Sequence, residues 1–133
     1  MHTLTVIAPV YNEEEVIADF YRELKATLGT LVGYRATMLF VVGRGTDHTL
    51  QILKELAAKD KDLRVLWLSS RFGHQMQLLA GIDYADSDVL VMMDSDLQHP
   101  PSFIPKLLAE FEKGNEVVFT IREKASDQSL LRK

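Results

Sequence analysis

Three observations predict an α/β protein with a mostly parallel sheet and helices on both faces for this 133-residue chain. Apolar runs of strand length recur at regular intervals, and stretches with helical spacing separate them. The runs are continuous rather than alternating, as in strands covered on both faces. Alternation of strand and helix is the mark of βαβ units, whose right-handed crossovers build a parallel sheet.

The first strand is expected at Leu4–Val10, and the helix after it carries Val16, Ile17, Phe20, Leu24 and Leu28 on one stripe. Asn12 is a good cap for that helix, and Glu13, Glu14 and Glu15 in its first turn would stabilise the dipole by roughly 0.3–1 kcal/mol each. A second strand at Ala36–Val42 leads to a helix with Leu50, Leu53, Leu56 and Ala57 on its apolar face, capped by Thr46 or Asp47. Arg64–Leu68 is the third strand; Gly73 breaks the chain before a helix bearing Leu78, Leu79 and Ile82. The fourth strand, Val89–Met93, is followed by Pro100-Pro101-Ser102, which opens a helix with Phe103, Ile104, Leu107, Leu108 and Phe111. Gly114-Asn115 would end it in a left-handed cap before a fifth strand at Val117–Ile121. Residues 123–133 carry mixed charge around one apolar pair, Leu130-Leu131, and read as a tail. Residues 1–122 form the domain.

Composition narrows the function classes. With 47% hydrophobic and 26% charged residues the chain sits near the soluble globular average, and no run reaches the roughly 18 apolar residues of a spanning helix. A net charge of −4 argues against a broad basic face for nucleic acid. The absence of cysteine excludes disulfides, thiolate metal sites and a cysteine nucleophile. No signal peptide is visible at Met1-His2-Thr3-Leu4, so a cytosolic location is the default expectation.

In open parallel sheets ligands bind beyond the carboxyl ends of the strands, and three of those loops are chemically loaded. The sharpest is Asp94-Ser95-Asp96. Two carboxylates two residues apart in extended chain point the same way, and their repulsion is relieved by a hard cation, Mg²⁺ or Mn²⁺, shared with substrate phosphates. The alternative is a pair of turn-forming aspartates bonded to local backbone donors. An apolar strand running straight into the pair favours the metal. Tyr11 and Glu13, near the first strand's end, are placed to stack on or hydrogen-bond a nucleoside, and Arg71 and Arg122 follow strands three and five, where a guanidinium grips phosphate. Surface arginines are the ordinary alternative. His74 reads as a helix-start residue, and His2, His48 and His99 share no metal-ligand spacing with it. The loop after strand one has no glycine, which excludes a dinucleotide fingerprint, and no phosphate-binding G-x-x-x-x-G-K-[ST] occurs.

Taken together, Ala8-Pro9-Val10-Tyr11-Asn12-Glu13-Glu14, Ser70-Arg71-Phe72-Gly73-His74-Gln75, Ala80-Gly81 and Asp94-Ser95-Asp96-Leu97-Gln98-His99-Pro100-Pro101 resemble glycosyltransferase family 2, and more narrowly its polyprenyl-phosphate glycosyltransferases. The resemblance implies a GT-A fold and inverting transfer of a sugar from a UDP- or GDP-linked donor to a polyprenyl phosphate. By position it implies that Pro9, Tyr11 and Glu13 line the nucleoside pocket, that Asp94 and Asp96 with Gln98 hold metal and diphosphate as the catalytic group, and that Arg122 contacts phosphate. It further implies a longer chain, with acceptor-binding and membrane-associated parts beyond Lys133 and a reaction at the inner face of the membrane. A sheet edge left open by those missing parts would support a homo-oligomer.

Two departures from the family matter: the size of the chain, which stops at Lys133, and the loop after strand two. Where the family shows V-D-D-G-S-x-D after strand two, this chain reads Val41-Val42-Gly43-Arg44-Gly45-Thr46-Asp47, so both paired aspartates are gone and only Asp47 survives. Loss of a buried charged partner costs about 1.5–3 kcal/mol. A truncated or degenerate domain that binds without turnover is therefore the competing expectation.

Overall fold

The computed structural model describes residues 2–43, 45–68, 74–95, 100–113, 118–122 and 128–132. In chain order the elements are β1 (His2–Val10), α1 (Ile17–Gly29), β2 (Tyr34–Val42), α2 (Thr49–Lys59), β3 (Leu63–Trp67), α3 (His74–Tyr84), β4 (Val89–Met92), a short 3₁₀ turn (Pro101–Phe103), α4 (Ile104–Glu112), β5 (Val118–Arg122) and β6 (Gln128–Arg132). The first four strands form one sheet in the order β3-β2-β1-β4, every neighbouring pair parallel.

That order explains where the helices lie. The chain runs β1 to β2 to β3 in one direction and then crosses back over both to β4, so right-handed crossovers put α1 and α2 on one face and α3 on the other. The cores agree. Leu4, Val6, Ala8 and Val10 of β1 pack with Ile17, Phe20 and Leu24 of α1, Leu53 of α2 and Ile104, Leu107 and Leu108 of α4. The intervening residue Ile7 points the other way, with Leu39 and Val41 of β2, against Ala80 and Ile82 of α3. Period-two side-chain alternation thus serves two cores at once. Helix α3 comes very close to the sheet: a Cβ on Gly81 would stand 2.5 Å from Ile7 Cγ2.

Four expectations change. Helix α1 begins at Ile17 rather than at the Glu13–Glu15 run, and Asn12 does not cap it: Asn12 takes the left-handed conformation (φ 48°), whereas a cap residue sits in the extended region. The α3 stripe is not continuous, because Leu79 is exposed while Gln77, four residues before Gly81 and hence on the same face, is buried. Among the described residues β5 pairs only with β6, antiparallel, outside the four-stranded sheet. A parallel fifth strand beyond β4 would need a right-handed crossover on the α3 face, yet α4 packs on the α1 face. Part of the expected tail is strand β6, whose five residues around Leu130-Leu131 match β5 in length across a five-residue connection. The breaks expected at Gly73 and Gly114-Asn115 lie outside the described residues.

Candidate active site at the switch point

The sheet order reverses between β1 and β4, and the crevice there is where an open α/β sheet takes its ligand. Pro9 shows how the crevice opens. Ile7 is the last residue of β1 paired with β4, opposite Met92, whereas pairing with β2 continues through Pro9 and Val10. The Ile7 carbonyl accepts from Met93 N–H and the Pro9 carbonyl from the Ser95 hydroxyl (3.3 Å), so these alternate residues face β4. Proline has no N–H to donate on that side. It is tolerated in a central strand because the ladder to β4 has already ended, and its missing donor helps β1 and β4 part.

Four sequence-predicted residues stand where the two strands part. Pro9 is buried, and Tyr11 and Glu13 follow it half-buried. Asp94, half-buried, leaves β4 on the other side, beside a Ser95 that is 3% exposed and tied to β1. The structure therefore places Pro9, Tyr11, Glu13 and Asp94 at the carboxyl ends of the neighbouring strands β1 and β4. Arg71, Asp96 and Gln98 lie outside the described residues. Arg122 ends β5, which lies against β4 without pairing with the four-stranded sheet, and its side chain is not among those described.

The loop carrying Tyr11 and Glu13 is latched to the loop after β2. Asn12 Oδ1 accepts from Thr46 N–H (2.9 Å) and Asp47 N–H (3.4 Å), and Asn12 Nδ2 donates to Thr46 Oγ1 (3.4 Å). Glu13 N–H donates to Thr49 Oγ1 (2.8 Å), and Glu14 N–H to Asp47 Oδ2 (3.1 Å). Asp47 Oδ1 in turn accepts from the Thr49 N–H and hydroxyl at 3.0 and 2.6 Å; His48 and not Asp47 or Thr46 stands at the cap position of α2, so Asp47 braces the first helical residue from outside the helix. Burial pushes the Asp47 carboxyl up, but the bonds from Thr49 and Glu14 and the neighbouring His48 outweigh it and hold it below the usual carboxylate range. Gly45 lies so close that a Cβ there would collide with Asn12 Oδ1. Asp47 thus survives as a structural residue.

Sequence reasoning missed Asn12 as a latch, Ser95 as a tie and Gln77 altogether. For Gln77 the signal was present: a polar residue at i−4 from a glycine on the face of α3 turned to the sheet. His74 does open α3, as expected.

The donor set after β4 suits a particular class of cation. Among the described residues no group of three His, Cys, Asp or Glu side chains converges, so an all-protein cage is absent from them. Asp94 at the crevice fits instead a hard divalent ion that takes one or two carboxylates and completes its shell with substrate phosphates.

The comparisons place this geometry. The family model described as Glycosyl transferase family 2 matches residues 5–133. The chain is 35% identical over 130 residues to an uncharacterized glycosyltransferase, YkcC, of Bacillus subtilis (strain 168), covering 97% of this chain and 40% of that protein. It is 33% identical over 133 residues to the undecaprenyl-phosphate 4-deoxy-4-formamido-L-arabinose transferase of Pseudomonas fluorescens (strain Pf0-1), covering 99% of this chain and 39% of that one. The chain therefore spans about two fifths of the length of these relatives. In fold it resembles the mannosyltransferase PcManGT from Pyrobaculum calidifontis, solved in complex with GDP-Man and Mn²⁺, with a TM-score of 0.62 at 23% identity over 71% of this chain and 28% of that one. With the strand order, the crevice and the family match over residues 5–133 in agreement, the chain belongs to glycosyl transferase family 2 and has its α/β, GT-A type of fold.

Proposed function

We propose that this chain is the nucleotide-sugar-binding part of an inverting glycosyltransferase that moves a sugar from a UDP- or GDP-linked donor to a polyprenyl phosphate at the inner face of a membrane. The observation that carries the reading is the switch point itself, where β1 and β4 part at Pro9 and the chain leaves β1 through Tyr11 and Glu13 and β4 through Asp94. Residues 1–122 supply the donor site. Tyr11 and Glu13 hold the nucleoside; Asp94 and Asp96, with Gln98, hold the diphosphate end, where Arg71 and Arg122 add positive charge.

Asp94 and Asp96 would hold the Mg²⁺ or Mn²⁺, which when bound supplies charge stabilisation to the departing diphosphate. An oxygen of the acceptor phosphate forms the new bond to the anomeric carbon as the bond from that carbon to the diphosphate oxygen breaks, and the nucleoside diphosphate leaves. A phosphate monoester with a second pKa of about 6 is already an anion at neutral pH. The chain therefore needs no general base, in keeping with the residues at the crevice.

The acceptor class is supported by the relative named for undecaprenyl phosphate, and the donor and metal classes by the structure with GDP-Man and Mn²⁺. No helix among the described residues is long and apolar enough to cross a membrane. Titration calorimetry with UDP-glucose and GDP-mannose in the presence of Mn²⁺ tests the reading. One of the two should bind, and Asp94→Ala or Asp96→Ala should weaken it roughly tenfold to a hundredfold. A folded protein that binds neither donor overturns the proposal. The competing reading, binding without turnover, is motivated by Gly43; sugar transfer to undecaprenyl phosphate by this chain would exclude it.

A further inference from the structure

Gln77 is 3% exposed on the face of α3 turned to the sheet, and nothing above uses it. Its amide nitrogen donates to the Val10 carbonyl (2.9 Å) and to the Val41 carbonyl (2.8 Å). Two carbonyl acceptors on one atom identify that atom as the NH₂ end, and both its protons are spent. The acceptors are the last residue of β1, immediately before Tyr11, and the residue two before Gly43 on β2. Val10 also accepts the Gly43 N–H (3.0 Å), so the amide crosslinks the two strands at their exits.

Gly43 lies directly against the crosslinking amide. A Cβ there would lie 3.3 Å from Gln77 Nε2, slightly tighter than ordinary contact, and within ordinary contact of Cδ at 3.4 Å and Oε1 at 3.5 Å. A Cβ at position 43 would press the Gln77 amide back by a few tenths of an ångström, against the two carbonyls it bonds. We propose that Gln77 is a positioning residue of the nucleoside pocket, its amide lying against Gly43 and fixing the exits of β1 and β2 from which the pocket is built. The inference rests on the nucleotide-sugar reading of the site. It also recasts the departure after β2: Gly43 is the partner of a helix-borne amide, and the strand end is held without a carboxylate.

The test is a double-mutant cycle on the 133-residue chain. Dissociation constants for UDP and GDP with Mn²⁺ are measured for the parent, Gln77→Ala, Gln77→Glu, Gly43→Ala and Gly43→Ala/Gln77→Ala, beside the urea midpoint of each. Gln77→Glu keeps the size but turns carboxylate oxygens onto two carbonyls. It and Gln77→Ala should each weaken the tighter-bound nucleotide about tenfold. Gly43→Ala should weaken it about threefold in the parent and cost nothing further beside Gln77→Ala. Unchanged affinity in the Gln77 variants, even with lowered urea midpoints, would make Gln77 merely structural and overturn the proposal. So would an equal effect of Gly43→Ala in both backgrounds. If the Gln77 variants do not fold, Gly43→Ala alone decides, weaker nucleotide binding by the folded protein supporting the proposal and unchanged affinity overturning it. A folded parent that binds neither nucleotide brings down the nucleotide-sugar reading and this inference with it, an outcome distinct from variants that bind as well as the parent.

Discussion

The two ends of the four-stranded sheet are both polar, yet they strike a different balance between side-chain pairs and bonds to backbone. At the amino end side chains mostly meet side chains: Asp60 accepts from the Tyr21 hydroxyl and the Lys25 ammonium, each at 2.6 Å, Tyr34 donates to Glu112 (2.7 Å), and Thr5 bonds Ser87 (2.5 Å), beside the backbone bonds that Thr3 and Asp88 exchange (3.1 and 2.9 Å). At the carboxyl end side chains mostly meet the backbone of another element. Asn12 holds the loop after β2, Asp47 and Thr49 hold the loop after β1, Ser95 reaches Pro9 and Gln77 reaches Val10 and Val41. Pairing of side chains fastens neighbouring elements together. Bonding to backbone fixes the path of a loop, and with it whatever that loop carries. The amino end is therefore read as holding the fold and the carboxyl end as holding a site.

Asp60→Ala should break the comparison most visibly. The Asp60 carboxylate is buried and takes three donors, the third being the Asp62 N–H at 2.9 Å, so its removal strips the Tyr21 hydroxyl and that N–H of a partner. Lys25 is half exposed and can turn to water. A loss of about 2 kcal/mol is expected from urea unfolding, with UDP or GDP affinity changed less than twofold. A matching loss of affinity would mean that the two ends are not separable.

Asn12→Ala acts at the other end and should show the converse. It removes the latch to Thr46 and Asp47 and places alanine in a left-handed conformation, which costs about 1 kcal/mol by itself. Asn12→Gly keeps the conformation and removes only the hydrogen bonds. Nucleotide affinity should fall about tenfold in both, with the larger drop in urea midpoint for alanine. If glycine restores affinity, the backbone conformation matters and the latch does not.

This division was only partly legible in the sequence. Apolar runs revealed four strands of the main sheet to within two residues at each end, because burial on both faces leaves an unbroken signal. The switch-point loops were legible because Pro9, Tyr11, Glu13 and Asp94 stand directly at strand ends, where the chemistry of an open sheet collects. What stayed hidden depended on contacts across the chain. Asn12 read as a cap because its bonds run to residues 34 and 35 positions away. Gln77 went unnoticed because the glycine it packs against stands 34 positions earlier in the sequence. The fifth strand looked like the others, since an apolar pentapeptide does not say which neighbour it pairs with.

The smallest expected effect, pH dependence, sharpens the comparison because each end has its own carboxylate. Burial pushes Asp60 up, but Lys25, Tyr21 and the Asp62 N–H outweigh it, so Asp60, like Asp47, ends below the ordinary aspartate value of 3.8. A carboxyl with a lowered folded-state pKa contributes stability that is present above the unfolded value and lost as pH falls through the lower folded one. Acid sensitivity of the urea midpoint below about pH 4 should therefore shrink in Asp60→Asn and in Asp47→Asn alike. On the alkaline side burial, with the bonds to Asp60 and Glu112, raises Tyr21 and Tyr34 from 10.0 to about 12. That contribution is complete below pH 10 and lost as pH rises toward 12, so Tyr21→Phe and Tyr34→Phe should flatten the alkaline limb. Nucleotide affinity supplies the discriminating measurement. Among these four replacements only Asp47→Asn should change the dissociation constant at neutral pH, because Asp47 alone holds the loop that carries Glu13; a change in any of the other three would show that the amino end reaches the site.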